Sequence, residues 1–255
     1  MFVMDVISYG IIACIGCLIG LSSGMFGIGG ALIATPLLHL YAGLPEFLAL
    51  GTPLPAAFPS SLTGSFVYHR HNLLYFPVIL PVLLGALPAN ICGTLLTQYV
   101  TEFTIMILTG SFLLLVGTTF FIRGWLLHEQ KEYNPQPNFL FGIITGIGAG
   151  LLSGFLAIGG GIVLVPAFVK IHKLPLKKAL ATSLVCVCVL TVPGTITHYI
   201  LGHIDPMIAL VLSMTVVPFS YIGSKITVKV KSRTIERIYG TAMIMFALYF
   251  ISTLW

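Results

Sequence analysis

The chain has 255 residues, of which 57% are hydrophobic and only 7% charged, with a formal net charge of +5 at pH 7; its mean hydropathy is +1.05. A soluble domain carries roughly 25% charged residues, so this composition excludes a water-soluble globular protein. The basic residues sit in short clusters between apolar runs, as membrane-flanking loops do, which excludes a nucleic-acid binder.

Apolar runs follow one another at 6–24, 28–42, 47–68, 74–97 and 103–122, then at 139–156, 160–169, 179–201, 206–224 and 235–254. Several reach the ~20 residues that a membrane-crossing helix needs. Residues 1–5 carry no Lys or Arg, so the first run reads as a retained membrane helix rather than a cleaved signal. The longest polar stretch, Arg123 to Asn138, is too short for a soluble domain. The expected fold is an all-α integral membrane protein.

The chain repeats itself. Gly20-Leu-Ser-Ser-Gly-Met-Phe-Gly-Ile-Gly-Gly, running on to Pro36, matches Gly150-Leu-Leu-Ser-Gly-Phe-Leu-Ala-Ile-Gly-Gly, running on to Pro166, at an offset of 130 (150 minus 20). The same offset pairs Thr52 with Thr182, Gly64 with Gly194, Pro88 with Pro218 and Gly110 with Gly240. The predicted organisation is a first membrane repeat at 1–127, a polar cytoplasmic linker at 128–138 and a second membrane repeat at 139–255.

The run 160–169 is too short to span a bilayer. If Gly27–Gly30 and its copy at 159–161 reverse the chain, each repeat becomes a broken or re-entrant hairpin plus three full spans, giving 8–10 membrane segments. All 12 Lys and Arg then fall on one side, with Asp5, Glu46, Glu102 and Asp205 on the other. The basic side is cytoplasmic and both termini lie outside. Treating each break as a kink divides the basic residues between the two sides. An odd number of crossings per repeat makes the repeats inverted, a plan of secondary transporters with the binding site between the repeats.

The broken segments contain Gly27, Ile28, Gly29 and Gly30, and Ile158, Gly159, Gly160 and Gly161, with no side chain capable of acid–base chemistry. They offer backbone. The N–H groups that open the following half-helix lack helical partners and carry the positive end of its dipole, which suits a small anion. Close helix packing through small residues is the competing role. Thr52, Thr182 and Ser183 open the next span and are candidate hydroxyl donors. Ser23 and Ser153 match through the repeat, and Asn90 reads as packing glue.

Ser153-Gly-Phe-Leu-Ala-Ile-Gly-Gly-Gly-Ile-Val-Leu-Val-Pro166, followed by Leu174-Pro175 and Ala181-Thr182-Ser183, resembles the sulfite exporter TauE/SafE family of bacterial membrane permeases. The resemblance covers nearly the whole chain. It implies a permease in the bacterial inner membrane that moves sulfite, a sulfonate or another sulfur-containing anion without ATP hydrolysis. The sequence departs from the pattern at Ala31, at Ala157, and at Gly51-Thr52-Pro53 in place of Ala-Thr-Ser.

Five cysteines (Cys14, Cys17, Cys92, Cys186, Cys188) lie in apolar runs, where burial as small hydrophobes is the default. Cys14 and Cys17 form a CxxC that opens the alternative of a thiol–disulfide electron carrier, although none of the five obeys the repeat; an anion channel is the other alternative. No metal-binding or enzymatic constellation stands out, so neither catalysis nor a cofactor is expected. His198 is expected to anchor a span end at the interface, with proton coupling as the alternative role for His198 or His39. The expected partners are the anion, membrane lipids and protons as a candidate coupling ion. Homo-oligomerisation is left open.

Overall fold

A computed structural model describes residues 6–27, 29–126 and 138–253; Ile28 and all of the polar linker but Asn138 lie outside the described residues. Every regular element among those described is a helix. In chain order they are α1 (Val6–Phe26), α2 (Ala31–Ala42), α3 (Glu46–Gly51), α4 (Pro53–Arg70), α5 (Ile79–Leu96), α6 (Glu102–Leu126), α7 (Phe139–Phe155), α8 (Gly161–Lys170), α9 (Leu176–Ile200), α10 (Pro206–Lys229) and α11 (Ser232–Thr253). Short 3-10 turns flank α5.

Local chemistry places the boundaries. Asn138 caps α7 by accepting from the N–H groups of Leu140 and Phe141 at 3.0 and 3.3 Å. Asp205 does the same for α10 through Met207 and Ile208, with Pro206 in the first turn where its missing N–H costs nothing. Pro53 divides α3 from α4 at Thr52, whereas the matching Ser183 lets α9 run unbroken.

Among the described residues, four helical segments are long and apolar enough to cross a membrane: Ser8–Phe26, Phe76–Tyr99, Leu176–Ile200 and Pro206–Lys229. Large apolar side chains such as Leu18, Leu80, Ile144, Ile200 and Met214 are exposed on these and neighbouring helices. An apolar surface of this extent requires lipid rather than water around it. The molecule is a multi-pass membrane protein.

The principal packing pairs join the two halves of the chain: α1 lies against α10, α5 against α7, and α6 against α11, while α4 packs between α9 and α10. Glycines set the closest approaches. Gly20 and Gly24 of α1 meet the backbone of Val216 and Ser220, and Gly223 meets that of Leu21. On α7, Gly146, Gly150 and Gly154 meet the backbone of Val82, Ala86 and Asn90, and from α5 Gly85 and Gly93 meet that of Ile143 and Leu151. Lipid tails are as apolar as leucine, so helices in a bilayer gain by close backbone contact and dispersion rather than by apolar burial.

Candidate functional site

The two breaks have matching backbones. Gly27, Gly29 and Gly30 have φ of 68°, 75° and 77°, and Ala157, Gly159 and Gly160 have 51°, 72° and 81°. Left-handed geometry strains any residue with a Cβ by roughly 1–2 kcal/mol, so Ala157 adopts it at a cost that Gly27 avoids.

The breaks turn the chain back. A Cβ on Gly30 would lie 2.5 Å from Ile19 Cγ2 and 3.2 Å from Ser23 Cβ, both residues one to two turns before the end of α1. Gly160 is placed alike, 3.3 Å from Ser153 Cβ and 3.5 Å from the Ala149 oxygen. With 12 and 10 residues, α2 and α8 are only ~18 and ~15 Å long at 1.5 Å per residue. Both are shorter than a full span, and their first N–H groups, at Ala31 and Gly161, have no partner within the helix. Gly29 lies beside Val187 and Ala57, two residues that are themselves one repeat offset apart.

Ending a helix inside the protein strands carbonyl oxygens that water cannot reach. Side chains from other helices meet them. Tyr68 Oη donates to the Gly24 oxygen at 2.7 Å and Ser224 Oγ does so at 3.3 Å. Thr227 Oγ1 donates to the Met25 oxygen at 2.9 Å. At the second break the Gly154 oxygen accepts from His198 Nε2 at 3.1 Å and from Thr94 Oγ1 at 3.3 Å. Tyr68 and His198 therefore do the same task one offset apart, as do Ser224 and Thr94. The hydroxyls of Ser224 and Thr94 were not singled out from the sequence, although their recurrence at the repeat offset was the available signal.

The predicted site residues divide into two groups. Ser183 joins the first break: its hydroxyl donates to the Gly27 and Leu180 oxygens, each at 2.8 Å. Ile158, Gly159, Gly160 and Gly161 are all buried at the second break, where the Ile158 N–H returns to the Ser153 oxygen at 3.2 Å. Thr52 and Thr182 are fully buried, and their hydroxyl oxygens accept backbone N–H groups. Thr182 Oγ1 accepts the Tyr75 N–H and Thr52 Oγ1 accepts the Asp205 N–H, each at 3.0 Å. Each threonine thereby holds the loop that precedes α5 or α10 in the other half of the chain, and accepting that bond leaves its own hydroxyl hydrogen to donate. Ile28 falls outside the described residues.

Two further expectations change. His198 is not at an interface: it has no exposed surface, because its ring is drawn inward by the Gly154 oxygen. The cysteines are all free thiols, but only Cys186 and Cys188 are buried, while Cys14 and Cys92 are exposed on the helix faces that lipid would cover. Asn90 acts as glue, donating to Ser153 Oγ at 3.1 Å. A cleft of about 390 Å³ opens between Phe58, Leu87 and the stretch Cys188–Ile196 of α9, with an almost wholly apolar lining.

A family model described as sulfite exporter TauE/SafE matches residues 12–250. The chain belongs to the sulfite exporter TauE/SafE family. It is 26% identical over 236 residues to a probable membrane transporter protein of Methanocaldococcus jannaschii, covering 86% of each chain. It is 23% identical over 264 residues to the probable membrane transporter protein YunE of Bacillus subtilis (93% of this chain, 95% of that one). A second Bacillus subtilis protein of that description, YdhB, is 27% identical over 212 residues (82% and 86%). No solved structure matches the chain.

Within this TauE/SafE chain, His172 follows the second half-helix. It is 1% exposed, edge-on to Phe168 at 5.9 Å, and neither ring nitrogen has a hydrogen-bond partner. Burial pushes its pKa below the ordinary imidazole value, which is about 6.5. A group whose folded pKa is depressed contributes stability that is full above the unfolded value and lost as pH falls below it. Replacing His172 by Leu removes an unpaired polar group, at a gain of about 1 kcal/mol. Thermal unfolding in detergent should show a higher midpoint for the variant, with the difference larger at pH 5.5 than at pH 8; equal differences at both would refute the titration.

Proposed function

We propose that the protein is a secondary transporter that moves a small sulfur-containing anion, such as sulfite or a sulfonate, across the bacterial inner membrane. The observation that carries this reading is the matched pair of breaks. Each opens a half-helix whose first N–H groups have no partner within the helix and whose positive dipole end, without a formal charge, suits an anion. Absence of a fixed cation favours release as well as capture. Gly29 beside Ala57 and Val187 supports a site where the two repeats meet.

In this reading the repeats are inverted, 1–127 and 139–255, with the linker in the cytoplasm and both termini outside. The site comprises the breaks at 27–30 and 158–161 with Ser183, and exposure alternates between the two faces of the membrane. Thr52 and Thr182 support it indirectly by fixing the loops of the opposite repeat. The chemistry is displacement across a membrane rather than catalysis.

The test is uptake of radiolabelled sulfite, sulfate and taurine into proteoliposomes holding monodisperse protein. Saturable uptake of one of them, competed by the unlabelled anion, is the expected result. Flux that rises linearly to high millimolar concentration would favour a channel. No uptake of any of the three would overturn the cargo assignment.

A further inference from the structure

His198 and His203 lie in contact, their Nδ1 atoms 3.0 Å apart and their ring centroids 5.3 Å apart. His198 is wholly buried in α9, and His203 is half-buried in the loop leading to α10. Hydrogen-bond direction assigns the protons. The Gly154 carbonyl can only accept, so His198 Nε2 carries a hydrogen. Neutral His198 Nδ1 is then an acceptor, and His203 Nδ1 must donate to it. The free nitrogen of neutral His203 is Nε2.

We propose that His198 and His203 form a proton-binding dyad that carries the coupling ion of transport, one proton per cycle, beside the second glycine break. This rests on the transporter reading above. A proton taken up at His203 Nε2 leaves every hydrogen bond of the chain intact. The Nδ1 hydrogen of His203 then passes to His198 Nδ1, which makes His198 the imidazolium, donating to His203 Nδ1 on one side and to the Gly154 oxygen on the other. A second proton would set two N–H groups against each other, so the dyad takes one extra proton and not two.

The surroundings fit that role. Gly154 lies in the last turn of α7, whose negative dipole end favours an imidazolium. Its neighbour Ser153 touches Gly160, so the positive charge arrives one residue from the second break, where an anion would benefit from it. The residues flanking the dyad, Tyr199 and Ile204, line a cleft of about 290 Å³ that also includes Pro55 and Pro206. His203 stacks on Phe47 of α3 at 4.6 Å with the planes 5° apart. The charged or titratable neighbours are Glu46 beside that phenylalanine, Tyr199 on α9, and Asp205, whose carboxylate is held by the N–H groups of Met207 and Ile208. Burial lowers the pKa of His203, so the dyad loads from an acidic compartment and empties into a neutral one. At the equivalent place in the first half, Tyr68 makes the same bond to Gly24 with a group that does not titrate near neutrality.

That tyrosine supplies the test variant. In proteoliposomes given radiolabelled sulfite, the wild type should accumulate the anion about tenfold more for each pH unit of acidity outside, as one proton per monoanion requires. His198→Tyr and His203→Asn should retain sulfite counterflow but lose the gradient-driven accumulation. Accumulation in both variants equal to the wild type, or a wild type indifferent to the gradient, would overturn the proposal. Nitrogen-15 NMR of histidine-labelled protein in nanodiscs reads the dyad without any cargo. A single coupled protonation shared by the two rings, abolished in either variant, is expected; two independent protonations would refute the dyad. A coupled step seen in a protein that moves no sulfite would keep the dyad and reject that cargo.

Discussion

Gly150→Leu should leave almost no folded protein, while Gly148→Leu, two residues away on the same helix, should be tolerated. A Cβ at Gly150 would fall on the backbone oxygen of Ala86 and lie 2.7 Å from its Cα, whereas one at Gly148 meets nothing within 4 Å. Backbone cannot rotate out of the way as a side-chain tip can, so α7 would have to leave α5 along the whole face that also carries Gly146 and Gly154. Overpacking in a well-filled interior costs about 1–3 kcal/mol for a modest insertion, and a full leucine side chain here exceeds that case. The Thr94 and Asn90 bonds to the end of α7 would be lost with the contact. Fluorescence-detected size-exclusion chromatography of the two variants, expressed in parallel, reads the result. A monodisperse Gly150→Leu protein at wild-type yield would show that the close approach of α5 and α7 is dispensable.

Gly29→Val should abolish transport while protein still reaches the membrane. The position has φ of 75°, where a β-branched residue is strongly disfavoured, and its Cβ would sit 2.7 Å from Val187 Cγ1. Relief comes by moving the break away from α9, which shifts the N–H groups at the head of α2. A displacement of about 1 Å in positioned groups costs on the order of a hundredfold in rate. Gly160→Ala is the graded companion. There the nearest atoms, a flexible leucine terminus and Ser153 Cβ, both lie at 3.3 Å, a contact relieved by a small shift, so backbone strain dominates and a loss of about tenfold is expected, equivalent to the 1–2 kcal/mol of that strain. Flux per molecule of inserted protein, measured for both variants, decides the matter. Wild-type flux in a correctly inserted Gly29→Val, Gly160→Val double variant would remove the breaks from the site.

Much of this was readable before any coordinates. The glycine runs marked a chain reversal, and Gly29, Gly30, Gly159 and Gly160 have the left-handed backbone that turns it. The departure from the family pattern at Gly51-Thr52-Pro53 coincides with the break at Thr52 between α3 and α4. What one sequence could not disclose was direction. Thr52 and Thr182 stood out by their matched positions, yet their partners are amides 153 and 107 residues away, and a hydroxyl carries no mark of where it will turn. His198 looked like an interfacial residue because it sits near the end of an apolar run. Its burial depends on a carbonyl 44 residues earlier that helix termination leaves unpaired. The i, i+4 glycines of α7 at 142, 146, 150 and 154 were visible as a stripe, but which helix they face is a property of the assembled bundle.

The glycine seams also decide what can move. Backbone pressed against backbone leaves no side chains to slide over one another, so α1 with α10, and α5 with α7, behave as welded girders. Each girder takes one helix from either half of the chain. The displacement that carries cargo in the proposed cycle is therefore expected between these composite blocks rather than between the two sequence halves. Distances between spin labels within a block, such as Leu18 to Met214, should stay constant through the cycle, and those between blocks should change.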